Sequence, residues 1–567
     1  MATATLPPIT RSGQRSQAEM AHDLVRRYDA LKRQRDMWDF DYQDIVRYLM
    51  PGADDVLELK SPGQSRTQYI YDSQPLRAPQ ILAANMMGAV TNQSLQWRKL
   101  KFRDEDLNAV QAVSAWLQAC DKRIMAGYAS SNFYQAAHTY YMNLGGFGTA
   151  AMYAGSFLGP SYAQHWHFKT LPTGSYVIAE NANGIVDTLI REVWLSPRQA
   201  VEMFEGQVSP EVKQLATKAT TQDQPRKFLH GVEPRPGRDT RKYDNKNMPF
   251  RALYVEYDTK FVCDETGYQE FPYLVSRWET LSKSPYGFGP GHIALPDVRM
   301  LNMLRELHLQ QLTLWVQPPL KVLREGVVGN ISLESLAMNV VTQMDALQPL
   351  DMTGRPDLVQ LDQADLRRSI EDTFYVNALQ ALPAPDAANM TAYEVAQRIE
   401  LMTRTMGPVF YRLLAEFLTP LEDRVFGLAW RAGALPQPPI EVLQAAARNN
   451  GQMDVEYNGP LARSQRGEEI RSLQDYMDLT GKAIQTQQNL EPVDLFDWDK
   501  ALQDAAEVLG VQAYRRDIAD VARMRQARAQ QQQAMQQAQM QNERMAAIGR
   551  IAPVMRNVQQ GQMAQAA

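Results

Sequence analysis

Two glycine-rich stretches are the residues best placed by type and spacing to do chemistry, since closely set glycines let backbone N–H groups approach a phosphate. The first, Gly145-Gly146-Phe147-Gly148, lacks the lysine that would meet the phosphate. Elsewhere, Gly481-Lys482 is followed by Ala483, where a phosphate-cradling loop needs Ser or Thr. The second stretch, Tyr286-Gly287-Phe288-Gly289-Pro290-Gly291, loses a donor at Pro290 and lacks dinucleotide-binding spacing, so it reads as a turn. His165-Trp166-His167 could set two imidazoles on one face of a strand, yet no nearby Cys or third His completes a metal set. Asp104-Glu105-Asp106 reads as a solvated turn. The two cysteines, Cys120 and Cys263, lie far apart, which fits a reducing compartment and no disulfide framework. No histidine follows His308, which removes His-based acid/base chemistry from the rest of the chain. These residues support no catalytic, cofactor-binding or metal-binding assignment.

The elements that would position such residues form several modules, because 567 residues with 44% apolar content exceed one ordinary core. Helical spacing covers residues 17–49 through Leu24, Tyr28, Leu31, Trp38, Ile45 and Leu49, ends at Pro51-Gly52, and recurs over 75–93 and 107–128. Strand-like runs over 175–180 and 185–195 are joined through Asn183-Gly184, a strong hairpin signal. Ser196-Pro197 then opens a helix that stops near Gly206. Residues 220–249, rich in Pro, Lys, Arg and Asp, read as a mobile surface excursion. Strand text resumes over 250–256 and 261–278, with a turn near Glu265-Thr266-Gly267.

From Asp297 to Gln317 no Gly or Pro intervenes, and Val298, Leu301, Leu304, Leu307, Leu312 and Trp315 recur at helical spacing. This predicts a rod of about 30 Å, stopped by Pro318-Pro319. Residues 320–363 read as a small α/β insertion, and helical spacing returns from Asp365 to Leu382 before Pro383-Ala384-Pro385 breaks it. At Thr391 a new helix begins with a capping box: its hydroxyl accepts from the Glu394 N–H, and Glu394 reaches back. Met390 and Val395 form the hydrophobic staple, while Gly407-Pro408 and Pro420 should bend or break this long element. Helical patterns return over 468–479 and 498–524. Nine glutamines within 526–541 then favour helix but supply few apolar anchors.

Net charge is −5, unevenly spread: residues 511–567 hold eight arginines, no lysine and three acids, leaving −10 on the other 510 residues. Static nucleic-acid binders advertise a basic face; an acidic body is compatible with a channel through which a duplex slides, but on charge alone it reads first as a surface that maintains solubility. No signal-peptide core and no membrane-length apolar run occurs, so the protein is expected to be made and kept in a cytoplasm.

Asn389-Met390-Thr391-Ala392-Tyr393-Glu394-Val395, followed by Arg398, resembles the Met-Thr-Ala-x-Glu helix start of portal (head-to-tail connector) proteins of short-tailed, podovirus-type double-stranded DNA bacteriophages. Other landmarks occur in that family's order. They are Tyr69-Ile70-Tyr71-Asp72-Ser73, a helical run ending at Trp97, Arg277-Trp278, Ser284-Pro285-Tyr286-Gly287, Leu295-Pro296-Asp297, Leu301-Asn302, Pro318-Pro319 and Gly459-Pro460-Leu461-Ala462-Arg463-Ser464-Gln465. The resemblance implies a predominantly helical α+β portal fold of wing, stem, clip and crown, assembled as a homododecameric ring with a central channel. It divides the chain into an N-terminal arm (1–16), wing (17–296), stem helix (297–317), clip (318–363), second stem helix (364–382), tunnel loop (383–390), wing helices (391–464), crown helices (465–525) and Gln-rich tail (526–567).

By the same resemblance, Pro383, Ala384, Pro385, Asp386, Ala387, Ala388, Asn389 and Met390 line the DNA channel. Lys321, Arg324, Arg367 and Arg368 flank the clip, where ring contacts and passing DNA are expected, though a solvated surface reads equally well. Thr391, Glu394 and Arg398 are structural. Implied partners are the terminase large subunit, major capsid and scaffolding proteins, tail adaptor or nozzle proteins and non-specifically held double-stranded DNA, with no membrane and no cofactor. The implied location is the portal vertex of the virion, after assembly in the host cytoplasm. A tail adaptor ring without motor contact is the alternative, against which size and helix–clip–helix order argue. Missing catalytic motifs argue against a nucleic-acid-processing enzyme.

Overall fold

The computed structural model describes residues 17–57, 63–158, 164–242, 244–323, 327–328, 331–332, 339–343, 345–350, 356–376, 406–447, 453–457, 476, 479, 521 and 523–541. The chain divides into two units, residues 1–465 and 466–567. In the second, residues 523–541 form a helix whose side chains are exposed. The first unit is α+β.

Helix α1 (Gln17–Tyr48) serves two cores because its apolar stripe changes partners along its length. Ala21, Leu24, Val25 and Tyr28 pack on one face of a five-stranded sheet through Val177, Ile190, Leu229, Leu253 and Val255. Tyr42, Ile45 and Val46 enter a helical core instead. Where the two meet, Arg35 and Asp39 are both buried and paired at 2.8 Å, so one turn of helix carries its charge inward already matched.

The sheet is an antiparallel meander of β4 (Tyr176–Glu180), β5 (Val186–Leu195), β6 (Arg226–Pro234), β7 (Phe250–Glu256) and β8 (Val262–Tyr268). At the β4–β5 hairpin the Asn181 Oδ1 accepts from the N–H groups of Asn183 and Ile185, and Gly184 supplies the positive φ of +75°. Between β5 and β6, Ser196 and Gln199 complete a capping box that starts α6 (Pro197–Met203), followed by α7 (Pro210–Thr217).

Two expectations fail here. Residues 226–234, read as part of a surface excursion, form the central strand: residues 228–232 are buried in succession because both faces of the sheet are covered, and flanking Pro and charged residues hid so short a run. The expected turn at Glu265-Thr266-Gly267 lies inside β8, paired with β7. Gly267 is required there for contact, since a Cβ would stand 2.3 Å from the Asn245 carbonyl oxygen.

A second sheet, β3 (Gln164–Thr170), β2 (Thr149–Leu158) and β9 (Tyr273–Arg277), covers the other face of the meander through Ala151, Tyr273 and Val275. The helical core beside it comprises α2 (Gln74–Val90), α4 (Gln111–Ser130), α5 (Phe133–Phe147) and the helix over 406–431. Asp104 accepts from the Asp106 N–H and caps the short α3 (Glu105–Ala109), so the acidic triplet is a helix start. Strand β1 (Arg98–Phe102) pairs with β16 (Met453–Tyr457), tying distant segments together. Pro420 cannot donate to the Glu416 carbonyl, and the helix departs from α geometry just before it, being π-helical over Leu414–Leu418.

Helix α8 (Pro290–Val316) begins seven residues before the predicted start, because Pro290 follows Gly289 at the first helical position. After it come the two-stranded pairs β12 (Leu320–Val322) with β15 (Leu347–Pro349) and β13 (Val327–Val328) with β14 (Val340–Val341). Helix α9 (Pro356–Thr373) begins before the predicted Asp365, and residues 377–382 of the predicted helix lie outside the described residues. Tyr375, at φ +55°, ends it by stacking on Trp278 while Phe374 and Val376 are buried. Among the described residues no helix is long and apolar enough to cross a membrane.

Candidate functional site

The two glycine stretches meet, and that contact seats α8. A Cβ on Gly291 would stand 2.0 Å from the Gly146 carbonyl oxygen, and one on Gly289 would stand 2.7 Å from the Gly148 Cα. Gly148 itself closes α5 in the left-handed region at φ +67°. The glycines thus let two backbones touch rather than cradle a phosphate. The expected turn at 286–291 is the junction between α8 and β11 (Ser284–Phe288), which pairs antiparallel with β10 (Glu279–Leu281).

The first turns of α8 are buried through Ala294, Leu295, Val298 and Leu301, after which the helix leaves the body. Twenty-seven residues give a length of about 40 Å. Beyond Leu301 apolar residues recur among polar ones and lose most of their cover, with Met303 57% exposed, Leu307 49% and Val316 81%, while His308 stays buried. At 100° per residue, Met300, Met303, Leu307 and Leu314 share one outward stripe, whereas Leu309, Leu312 and Val316 prolong the inward one. Val322, Leu323, Val340, Val341 and Leu350 around the small β pairs are exposed as well. Two-stranded pairs are marginal in isolation, and these leave apolar side chains in solvent as the outer stripe of α8 does.

Helix α9 returns beside α8, where the Ser369 hydroxyl donates to Asp297 at 2.7 Å. Both helices are bound to residues 69–74, which lead into the start of α2. The Asn302 side chain donates to the Tyr69 carbonyl at 2.7 Å and accepts from the Tyr71 N–H at 2.8 Å. Arg367 Nη2 donates to Asp72 at 2.6 Å, and the Gln74 amide donates to Glu371 at 2.7 Å. Sequence landmarks separated by more than two hundred residues therefore form one junction.

Three charge clusters, the first buried and the other two partly so, fix the 406–431 helix to the body, and sequence reasoning missed them all. Arg98, wholly buried, lies 2.6 Å from Glu422 and 3.0 Å from Asp121. The Tyr128 hydroxyl donates to Glu422 at 2.9 Å, and the Leu100 N–H donates to Asp121. Burial pushes the Glu422 carboxyl up to about 7 and Asp121 up to about 6, with Arg98 opposing both shifts. Arg277 joins Glu416 at 2.5 Å and also Glu180, while its backbone N–H donates to Glu416 at 2.8 Å. Glu270 accepts from Arg424 at 3.0 Å and from Arg431 at 2.6 Å. The available signal was Glu422 itself, a charge within the apolar stripe Leu418, Leu421, Val425 and Leu428.

Of the cations predicted around residues 320–368, Lys321, Arg367 and Arg368 are among the described residues. Lys321 is exposed on β12, opposite Gln348. Arg367 is engaged by Asp72 at the body end, and Arg368 forms a surface pair with Asp365 at 3.6 Å. Arg324, Pro383 to Met390, Thr391, Glu394 and Arg398 lie outside the described residues. On β3, His167 is exposed, and no group of three or more His, Cys, Asp or Glu fit to hold a metal occurs among the described residues.

A family described as bacteriophage head to tail connecting protein matches residues 21–514. A probable portal protein of Bordetella phage BPP-1 is 30% identical over 499 residues, covering 86% of this chain and 87% of that protein. The portal protein of Salmonella phage epsilon15 is 29% identical over 500 residues, with the same two coverages.

Proposed function

The chain belongs to the bacteriophage head-to-tail connecting protein family, and from that premise we propose that it forms a closed ring with α8 and α9 of each copy packed around an axis. Its role is that of a portal: a structural component of the virion at the junction of head and tail. The observation that carries the ring is the apolar surface of α8, which a single copy leaves in water. Fully burying one such side chain contributes about 1.5–3 kcal/mol, so half-exposed Met300, Met303, Leu307 and Leu314 together favour association by several kcal/mol per neighbour.

In the fuller reading, twelve copies enclose a channel for double-stranded DNA, and the 383–390 loops narrow it, held by the helix start at Thr391 and Glu394. The small β pairs meet the terminase large subunit during packaging and tail adaptors afterwards. The α+β body, residues 17–296, faces the capsid shell and scaffolding proteins. Lys321, Arg324 and Arg368 would touch phosphates weakly enough for the duplex to slide. Electron microscopy of the purified chain, without nucleotide or metal, tests the ring: closed rings with an axial hole are expected. Only monomers or open filaments across salt and concentration would refute it. Removing residues 526–567 should leave rings closed.

A further inference from the structure

Residues 69–74 grip α8 and α9 at the point where both leave the body. On α8, Leu301 is wholly buried and Asn302 is the next residue. On α9, Ile370 is buried in the core and Arg367 lies one turn earlier, on the outward side. Just past these positions, Leu366 of α9 is the last side chain among the described residues of either helix that packs on the body's core. The clamp is polar and directional. Asn302 binds the backbone of Tyr69 and Tyr71 on both sides, as a neighbouring strand would. Asp72 accepts from Arg367 through both Nε, at 3.1 Å, and Nη2, at 2.6 Å. The Tyr71 hydroxyl adds a bond to Glu306 one turn further out, and Gln74 adds one to Glu371. One strap six residues long thus meets both helices on two successive turns each, which resists tilting and not only sliding.

We propose that residues 69–74, acting through Asn302 and the Asp72–Arg367 pair, set the angle at which α8 and α9 leave the body, and through it the number of copies that close a ring. The second clause rests on the ring proposed above. Small angles matter there, because twelve-fold and thirteen-fold closure differ by only about 2° of rotation between neighbours. These are positioning residues, since their bonds run to α8 and α9.

Two measurements on the full chain test it. Spin labels on cysteines placed at exposed Arg33 of α1 and Gln310 of α8 report the angle within one copy, the native Cys120 and Cys263 being buried. Asn302→Ala and Asp72→Arg should each broaden that distance distribution about twofold, and Asp72→Arg with Arg367→Asp should narrow it again. Mass photometry of assembled rings should show one subunit number for wild type and a spread for the single variants, with the swapped pair restoring one number. Unchanged distances in both single variants would overturn the strap. Broadened distances with a single unchanged ring size would overturn its control of closure. If wild-type chains form no rings, the ring reading fails, and the distances still decide whether residues 69–74 fix the helices.

Discussion

Arg98, a guanidinium, is wholly buried in the body, while Val316, a valine on the projecting helix, is 81% exposed. The body has matched its charges within one chain, so Arg98, Arg277 and Arg424 each meet carboxylates from other elements. The projection, from Met300 through the small β pairs to α9, has not matched its apolar groups within one chain. The difference teaches where self-sufficiency ends: a group satisfied internally stabilises the fold, and a group left unsatisfied specifies a neighbour.

Removing Arg98 should break the body side of this comparison hardest. Arg98→Ala strands Asp121 and Glu422 in a buried site, and a loss of about 3–5 kcal/mol in urea unfolding is expected. A loss below ~1 kcal/mol would mean that the cluster is not a fastening of the 406–431 helix. Next in size, Gly291→Ala forces a Cβ into the Gly146 carbonyl. It should cost about 1–3 kcal/mol through overpacking, read as a lowered unfolding midpoint.

A third test uses pH. The folded Glu422 carboxyl titrates at about 7, above the ordinary carboxylate range of its unfolded state, because burial outweighs Arg98. Between roughly pH 4.5 and 7 the native state therefore holds a proton that the unfolded state has released. Stability from this group is greatest below that window and falls as pH rises through it, by at most about 1.4 kcal/mol per pH unit. Glu422→Gln should flatten the wild-type profile there, and parallel profiles would contradict the assignment. The smallest effect on folding belongs to the projection. Met303→Ser with Leu307→Ser should change single-chain unfolding by only about 0.5 kcal/mol, while ring dissociation, followed by light scattering, rises steeply. Equal losses in both assays would show that these side chains serve the chain's own core.

How much was legible depends on the range over which each signal acts. The α1 stripe, the Asn183-Gly184 hairpin, the Ser196 cap and the Pro318-Pro319 stop were readable because each is set by neighbours within a few residues. Strand β6 was not, since Pro225, Arg226 and Lys227 mask a core strand whose buried pattern has meaning only between β5 and β7. Helix α9 breaks after Thr373, where Tyr375 at φ +55° stacks on Trp278, a partner far away in sequence that local periodicity could not show.

By itself the sequence determined the local grammar and the family, through motifs in a fixed order and the absence of phosphate-cradling and metal-ligand spacings. Tertiary structure alone decided that the two glycine runs touch, that Arg367 is committed to Asp72, and that Glu422 sits beside Arg98 and Asp121. The physical reason is the same in each case. Capping, turns and periodicity are written over three to seven residues, whereas burying a charge or touching two backbones requires a partner that only the fold brings within bonding distance.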